Sequence, residues 1–272
     1  MKIYLQTDIE GVAGFCFLED RAPKDMESVL HRRRMYRLLT GEVNAAVRAA
    51  FDAGAAEVYV NDSHASGYNI IFEELDPRCR IIHGGNCTGP HWLPKLDGSF
   101  DALLLLGMHA MGGTARAITA HSTWKVNGGE IYLSEGSMAA AIAGDFGVPT
   151  VMVSGDDKVV AEIGEKIPGV ERAAVKEALS TYQACSMIPL RARDEIAAAV
   201  RRGLDNRKNI KPYAIPGPVR LVLLDSETHA PPLEETGEEV GAATINEAFM
   251  KYEKAMPWTS FDTEHLNGRR YP

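Results

Sequence analysis

Ala102-Leu103-Leu104-Leu105-Leu106-Gly107 is the stretch on which the fold turns. In an extended strand successive side chains point to opposite faces, so an unbroken apolar run leaves neither face fit for water. Such a strand belongs in the middle of a parallel sheet with helices on both sides. The segments on either side fit that frame. Upstream, Ile3 to Thr7 reads as a short strand that ends in a polar cluster with Gly11 and Gly14. A helical pattern follows from about Asp25 to Ala53 and stops at Gly54, a helix C-cap. Glu57 to Asp62 and Arg80 to His83 read as two further strands.

Downstream, Ala117 to Ala120, Glu130 to Leu133 and Pro149 to Ser154 read as strands, with a small-residue helix from Ser137 to Phe146. This alternation predicts a layered α/β fold, a sheet flanked by helices. Beyond about Ser180 the pattern changes to an Ala/Arg helix (Arg191 to Leu204), Pro212, Pro216 and Pro218, a strand (Val219 to Leu224) and an acidic loop (Glu234 to Glu239). We therefore expect an α/β domain over residues 1–180 and a smaller C-terminal α+β part over 181–272 that serves oligomerisation or completes a pocket.

The composition removes several function classes. The 272 residues are 45% apolar and 24% charged, ordinary for a globular domain. The net charge of −8 opposes phosphate backbones and anionic lipid, so nucleic acid and membrane surfaces are not the expected partners. Cys16, Cys79, Cys87 and Cys185 lack C-x-x-C spacing, which excludes a zinc ribbon and a thioredoxin motif and fits reduced thiols in the cytoplasm. The N-terminus reaches Asp8 before a signal-peptide core could form. No later run approaches the ~20 apolar residues of a membrane span.

The candidate chemistry sits at strand ends. Asp8 and Glu10 are two positions apart after the first strand, so both carboxylates can project from one face. A polar strand end with a helix cap would use the same pair; two like charges held this close call for a cation. Three of the eight histidines, His64, His109 and His121, each stand just beyond a predicted strand. Loops at the carboxyl ends of strands in an open α/β sheet converge on one crevice. Together with Asp8 and Glu10 they read as imidazole and carboxylate ligands for Zn²⁺. Glu130 or Glu135 could supply the carboxylate that a second ion requires, and the residues alone leave that choice open. His31, His83, His91, His229 and His265 are read as non-ligands. Gly155-Asp156-Asp157 suits either a further carboxylate pair at the rim or a helix N-cap. Ser122-x-x-Lys125 matches a serine-hydrolase tetrapeptide but lacks its partner motifs.

Taken in order, Asp8-x-Glu10-Gly11, Asn61-Asp62-Ser63-His64, Gly107-x-His109, His121-Ser122, Glu135 and Gly155-Asp156-Asp157 resemble the motifs of the D-aminopeptidase family, peptidase family M55, over residues 1 to about 190. The resemblance implies a dinuclear zinc aminopeptidase, two Zn²⁺ per subunit, that removes N-terminal residues, notably D-amino acids, from short peptides. It further implies a homo-oligomeric ring, with a decamer as the candidate form. Carried over residue by residue, Asp8 would bridge the metals, Glu10 and His109 would complete one site, His64 and Glu135 the other, and His121 would be catalytic. Gly136-Ser137-Met138 stands where the family more often has Gly-Leu-Asn. The competing readings are another dinuclear hydrolase, an amidase or phosphoesterase, and a metal-dependent peptide-binding module without catalysis.

Overall fold

A computed structural model describes residues 1–16, 26–84, 92–225 and 231–255 of the chain. Its elements run β1 (Lys2–Thr7), α1 (Met26–Asp52), β2 (Glu57–Asp62), β3 (Arg80–Ile82), β4 (Ala102–Met108), β5 (Thr123–Val126), β6 (Ile131–Leu133), α2 (Glu135–Asp145), β7 (Thr150–Asp156), α3 (Asp157–Lys166), β8 (Glu171–Ser180), β9 (Gln183–Ser186), α4 (Pro189–Asn206), β10 (Val219–Asp225), β11 (Glu234–Ala242) and α5 (Ile245–Ala255). The architecture is layered α/β with two sheets. Cys87, His91, His229 and His265 lie outside the described residues.

The large sheet has seven strands in the order β3-β2-β1-β4-β7-β8-β9, parallel except for β9. Its centre is the leucine run. Every residue of β4 is buried, as is every residue of β7 beside it, the condition of strands covered on both faces. Burying one leucine contributes roughly 1.5–3 kcal/mol, so Leu103 to Leu106 anchor the core. Helices α1 and α4 pack on each other and reach β2, β4, β7 and β8, while α2 and α3 pack on each other against β4, β7 and β8.

The chain reverses its direction across the sheet between β1 and β4, so their carboxyl ends flank a crevice. The register levels the strand ends: Thr7 pairs with Asp62 on one side and with Leu106 on the other. Two glycines let the loops beyond them touch. A Cβ on Gly107, whose φ is +72°, would meet the Asp8 carbonyl at 2.3 Å, and one on Gly11 would meet the Met108 carbonyl at 2.0 Å.

The second sheet is antiparallel, β11-β10-β5-β6, and is covered by α5, which also contacts α2. Each sheet draws strands from both sides of residue 180, which falls at the turn of the β8-β9 hairpin. Two expectations are corrected. Ala117 to Ala120 form turns rather than a strand: Arg116, Thr119 and Ser122 all have positive φ, and the amides of Ile118 and Thr119 go to Asp156 and to the Thr181 carbonyl. Their apolar character reflects burial, not a ladder. Glu234 to Glu239 belong to a strand rather than a loop, because β11 is an edge strand whose glutamates face water and whose amides pair with β10. Among the described residues no helix is long and apolar enough to cross a membrane.

Candidate metal centre

Asp8 follows β1, and its backbone amide still donates to the Leu106 carbonyl of β4 at 2.8 Å. The carboxylate thereby stands over the gap between the strands. His64 is fixed through the segment after β2. Asp62 accepts from the backbone amides of Asn69 and Ile70 at 2.6 and 2.8 Å, and the Asn69 amide group donates to the His64 carbonyl at 2.5 Å. Ser63 donates to the Thr7 carbonyl and accepts from Gln6. The loop is thus folded back towards β1. His64 Nδ1 lies 3.0 Å from Asp8 Oδ1 and 3.1 Å from Glu10 Oε2.

His109 follows β4 at the next strand end. Its Nδ1 bonds to the Ala110 carbonyl at 2.8 Å, and His121 Nδ1 bonds to the Thr119 carbonyl at 2.7 Å. A carbonyl can only accept, so each ring carries a proton on Nδ1 and presents Nε2 to the crevice. The rings stack with centroids 4.0 Å apart. Both Nε2 atoms lie 3.6 Å from Glu135 Oε1, and His109 Nε2 also lies 3.6 Å from Asp8 Oδ2. Glu135 is the first residue of α2, where the helix dipole favours an anion. Ser134 caps that helix reciprocally with Ser137, and both hydroxyls donate to Glu162 of α3.

All six residues singled out in the sequence therefore meet in one place, as two trios: Asp8, Glu10, His64 and His109, His121, Glu135. Glu10 lies beside His64 and Glu135 beside His109, while Asp8 reaches both histidines. Glu130 is exposed and belongs to neither trio. Asp156 is the N-cap of α3, accepting from the amides of Lys158 and Val159, and Asp157 accepts from the Ala178 amide. Lys125 pairs with Glu235. His83 stacks on Phe72.

The trios are unequal in access. The side chains of Asp8, Glu10 and His109 are 7%, 1% and 1% exposed, those of His64, Glu135 and His121 18%, 21% and 27%, so a ligand meets Glu135 and His121 before the carboxylates of Asp8 and Glu10. The donor set fits a divalent cation. Asp8 Oδ2, Glu10 Oε2 and His109 Nε2 are buried without a hydrogen-bond partner, which costs about 1–3 kcal/mol per atom. One His64 N–H cannot serve both carboxylates. Burial by itself lowers an imidazole's pKa, but the Glu10 and Asp8 charges reverse this and push His64 up to about 11; for His109, Glu135 does the same, to about 10. Burial and the Glu10 charge raise Asp8, whereas His64 overcomes burial and lowers Glu10. So much charge in so small a volume suits an ion bound by imidazole and carboxylate, the preferences of zinc.

Sequence reading missed three residues around the site. Lys176 interrupts a buried strand, Glu42 stands on the apolar stripe of α1 between Leu39 and Ala46, and Glu162 lies on α3. The first two carried a signal, a charge where the pattern asks for an apolar residue.

An α/β sheet with two acid–imidazole trios at its switch point defines a metal-binding protein whose centre opens to a ligand. Comparison with known proteins then fixes the family. The D-aminopeptidase profile of peptidase family M55 matches residues 1–259. A D-aminopeptidase of Bacillus subtilis (strain 168) is 31% identical over 221 residues, 79% of this chain and 78% of that one. A solved structure, the Zn-dependent D-aminopeptidase DppA from Bacillus subtilis, described as a self-compartmentalizing protease, superposes with a TM-score of 0.82 at 26% identity, covering 97% of this chain and 99% of that one. The chain belongs to the D-aminopeptidase family.

Proposed function

We propose that the chain is a zinc aminopeptidase that uses two ions per subunit to release the N-terminal residue, of D configuration, from short peptides, within a closed homo-oligomer. The observation that carries this reading is the convergence of two trios on the one carboxylate of Asp8, whose Oδ1 faces His64 and whose Oδ2 faces His109. A carboxylate with its two oxygens aimed at different groups is suited to being shared. By the family resemblance Glu10 and His109 would complete one site with it, His64 and Glu135 the other. The zinc dependence and enclosed assembly of the B. subtilis neighbour support the cofactor and the oligomer.

Zinc bound here supplies Lewis acidity to a carbonyl oxygen and makes water a stronger acid at neutral pH. The chain's own residues do the rest. The carbonyls of Ala110 and Thr119 hold the tautomers of His109 and His121, so their Nε2 lone pairs face the crevice. His121, the most open member, can take a proton on Nε2 from the attacking water and return it to the departing amine. The buried floor of Asp8 and Glu10 keeps bulk water from that side.

The test is hydrolysis of matched D-alanyl and L-alanyl dipeptides before chelation, after chelation and after zinc return. Chelator-sensitive release of D-alanine, restored by zinc, is expected. A zinc-loaded enzyme that cleaves neither dipeptide contradicts the reading, and equal rates on both remove the D-selectivity.

A further inference from the structure

The loop that carries Glu10 is held by two buried charges that belong to neither trio. Lys176 on β8 is 3% exposed, and its ammonium donates to three backbone carbonyls of one short stretch: Glu10, Val12 at 3.0 Å and Phe15 at 2.8 Å. Glu42 on α1, 2% exposed, accepts from the Ala13 amide at 2.9 Å. Two further amides of the loop are paired, Gly11 with the Gly107 carbonyl and Gly14 with Ser186. An ammonium removed from water costs several kcal/mol unless its donors are used, and here three carbonyls use them. A hydrophobic side chain would fill the same volume without that cost. The lysine is therefore better explained by what it orders than by its own stability.

We infer that Lys176 is a positioning residue for Glu10 in the metal centre: by fixing the carbonyl of Glu10 and two further carbonyls of its loop, it holds the Glu10 carboxylate in place. The inference rests on the zinc reading above. Groups that hold a ligand in place weaken metal binding by roughly 10- to 100-fold when removed. All three hydrogen bonds of the Lys176 ammonium go to the loop that carries Glu10, so its loss should affect the ion that Glu10 helps to hold and spare the other.

The test replaces Lys176 in the full chain by Met, which keeps the volume without the donors, and by Ala, which leaves room for added propylammonium. Zinc is titrated against a competing chelator, with circular dichroism on each variant as the check on folding. Expected for both variants is about 10- to 100-fold weaker binding of one zinc per chain, with the other unchanged. Propylammonium should restore the Ala variant, and propanol, of similar size but uncharged, should not. Two zinc sites of wild-type affinity in the Met variant overturn the inference. So does loss of both sites together with the folded signal, or equal rescue by propanol, either of which makes Lys176 merely structural. If the wild-type chain binds no zinc, the metal reading itself fails, and the positioning role with it.

Discussion

The two trios use the same chemistry but are built by different means. Asp8, Glu10 and His64 extend from the ends of two adjacent parallel strands, and hydrogen bonds donated to Asp62 and donated by Ser63, Asn69 and Lys176 leave them little freedom. His109, His121 and Glu135 come from a strand end, a turn with three positive-φ residues and a helix N-terminus, the first and last tied together through Glu162, which accepts from Ser134, Ser137 and the Met111 amide. The first trio is a rigid, buried floor. The second forms the open wall where substrate and proton transfer meet. The contrast teaches that a strand end fixes a ligand locally, whereas a ligand on a loop or helix start depends on contacts made from elsewhere in the chain.

The comparison breaks most completely at Asp8, the one residue both trios use. Asp8→Asn should lower kcat/KM by at least roughly a thousandfold, the loss of several kcal/mol of charge stabilisation, and zinc analysis should find both ions depleted. Retention of full activity would mean that the trios do not share a carboxylate. His121→Ala sharpens the division of labour within the wall. It should cut kcat by roughly 100- to 10,000-fold with zinc content intact. Loss of zinc together with turnover would instead make His121 a ligand, a role its 3.6 Å approach to Glu135 also allows.

Smaller effects come from the scaffold of the wall. Glu162→Ala should weaken the zinc site that Glu135 helps to form about 10- to 100-fold while sparing the site that Glu10 helps to form, measured by the same chelator competition as the Lys176 variants. Equal weakening of both sites would show that the trios are one cooperative unit. Ser134→Ala removes the cap of α2 and should lower stability by about 1 kcal/mol in a denaturant melt, with a modest drop in activity. An unchanged melt would show that Glu162 and Ser137 hold the helix start without it.

The same contrast explains what the sequence made legible. The leucine run and Ile3 to Thr7 are read correctly because a strand buried on both faces can satisfy its side chains in no other way, and Glu57 to Asp62 because Val58 and Val60 give it one buried face. Residues placed one to three positions past such strands, Asp8, Glu10, His64 and His109, inherit that legibility. Glu135 and His121 are less so. The turn before His121 is apolar because it is buried, and a buried turn and a buried strand look alike in composition. The choice between Glu130 and Glu135 depends on a helix start that the Ser134–Ser137 cap and the Glu162 contacts fix. The acidic edge strand β11 carries the charges of a loop because one side of it meets water. The division of ligands into trios is likewise topological: it follows from the strand order β2-β1-β4, which no local motif encodes.

The central claim is that one centre is made of two half-sites joined at Asp8, and zinc per purified chain tests it most directly, measured for the wild type beside His64→Ala and His109→Ala. The account predicts two ions in the wild type and one in each variant, lost from different halves. A single ion in the wild type, or a variant that loses both ions or neither, would contradict it.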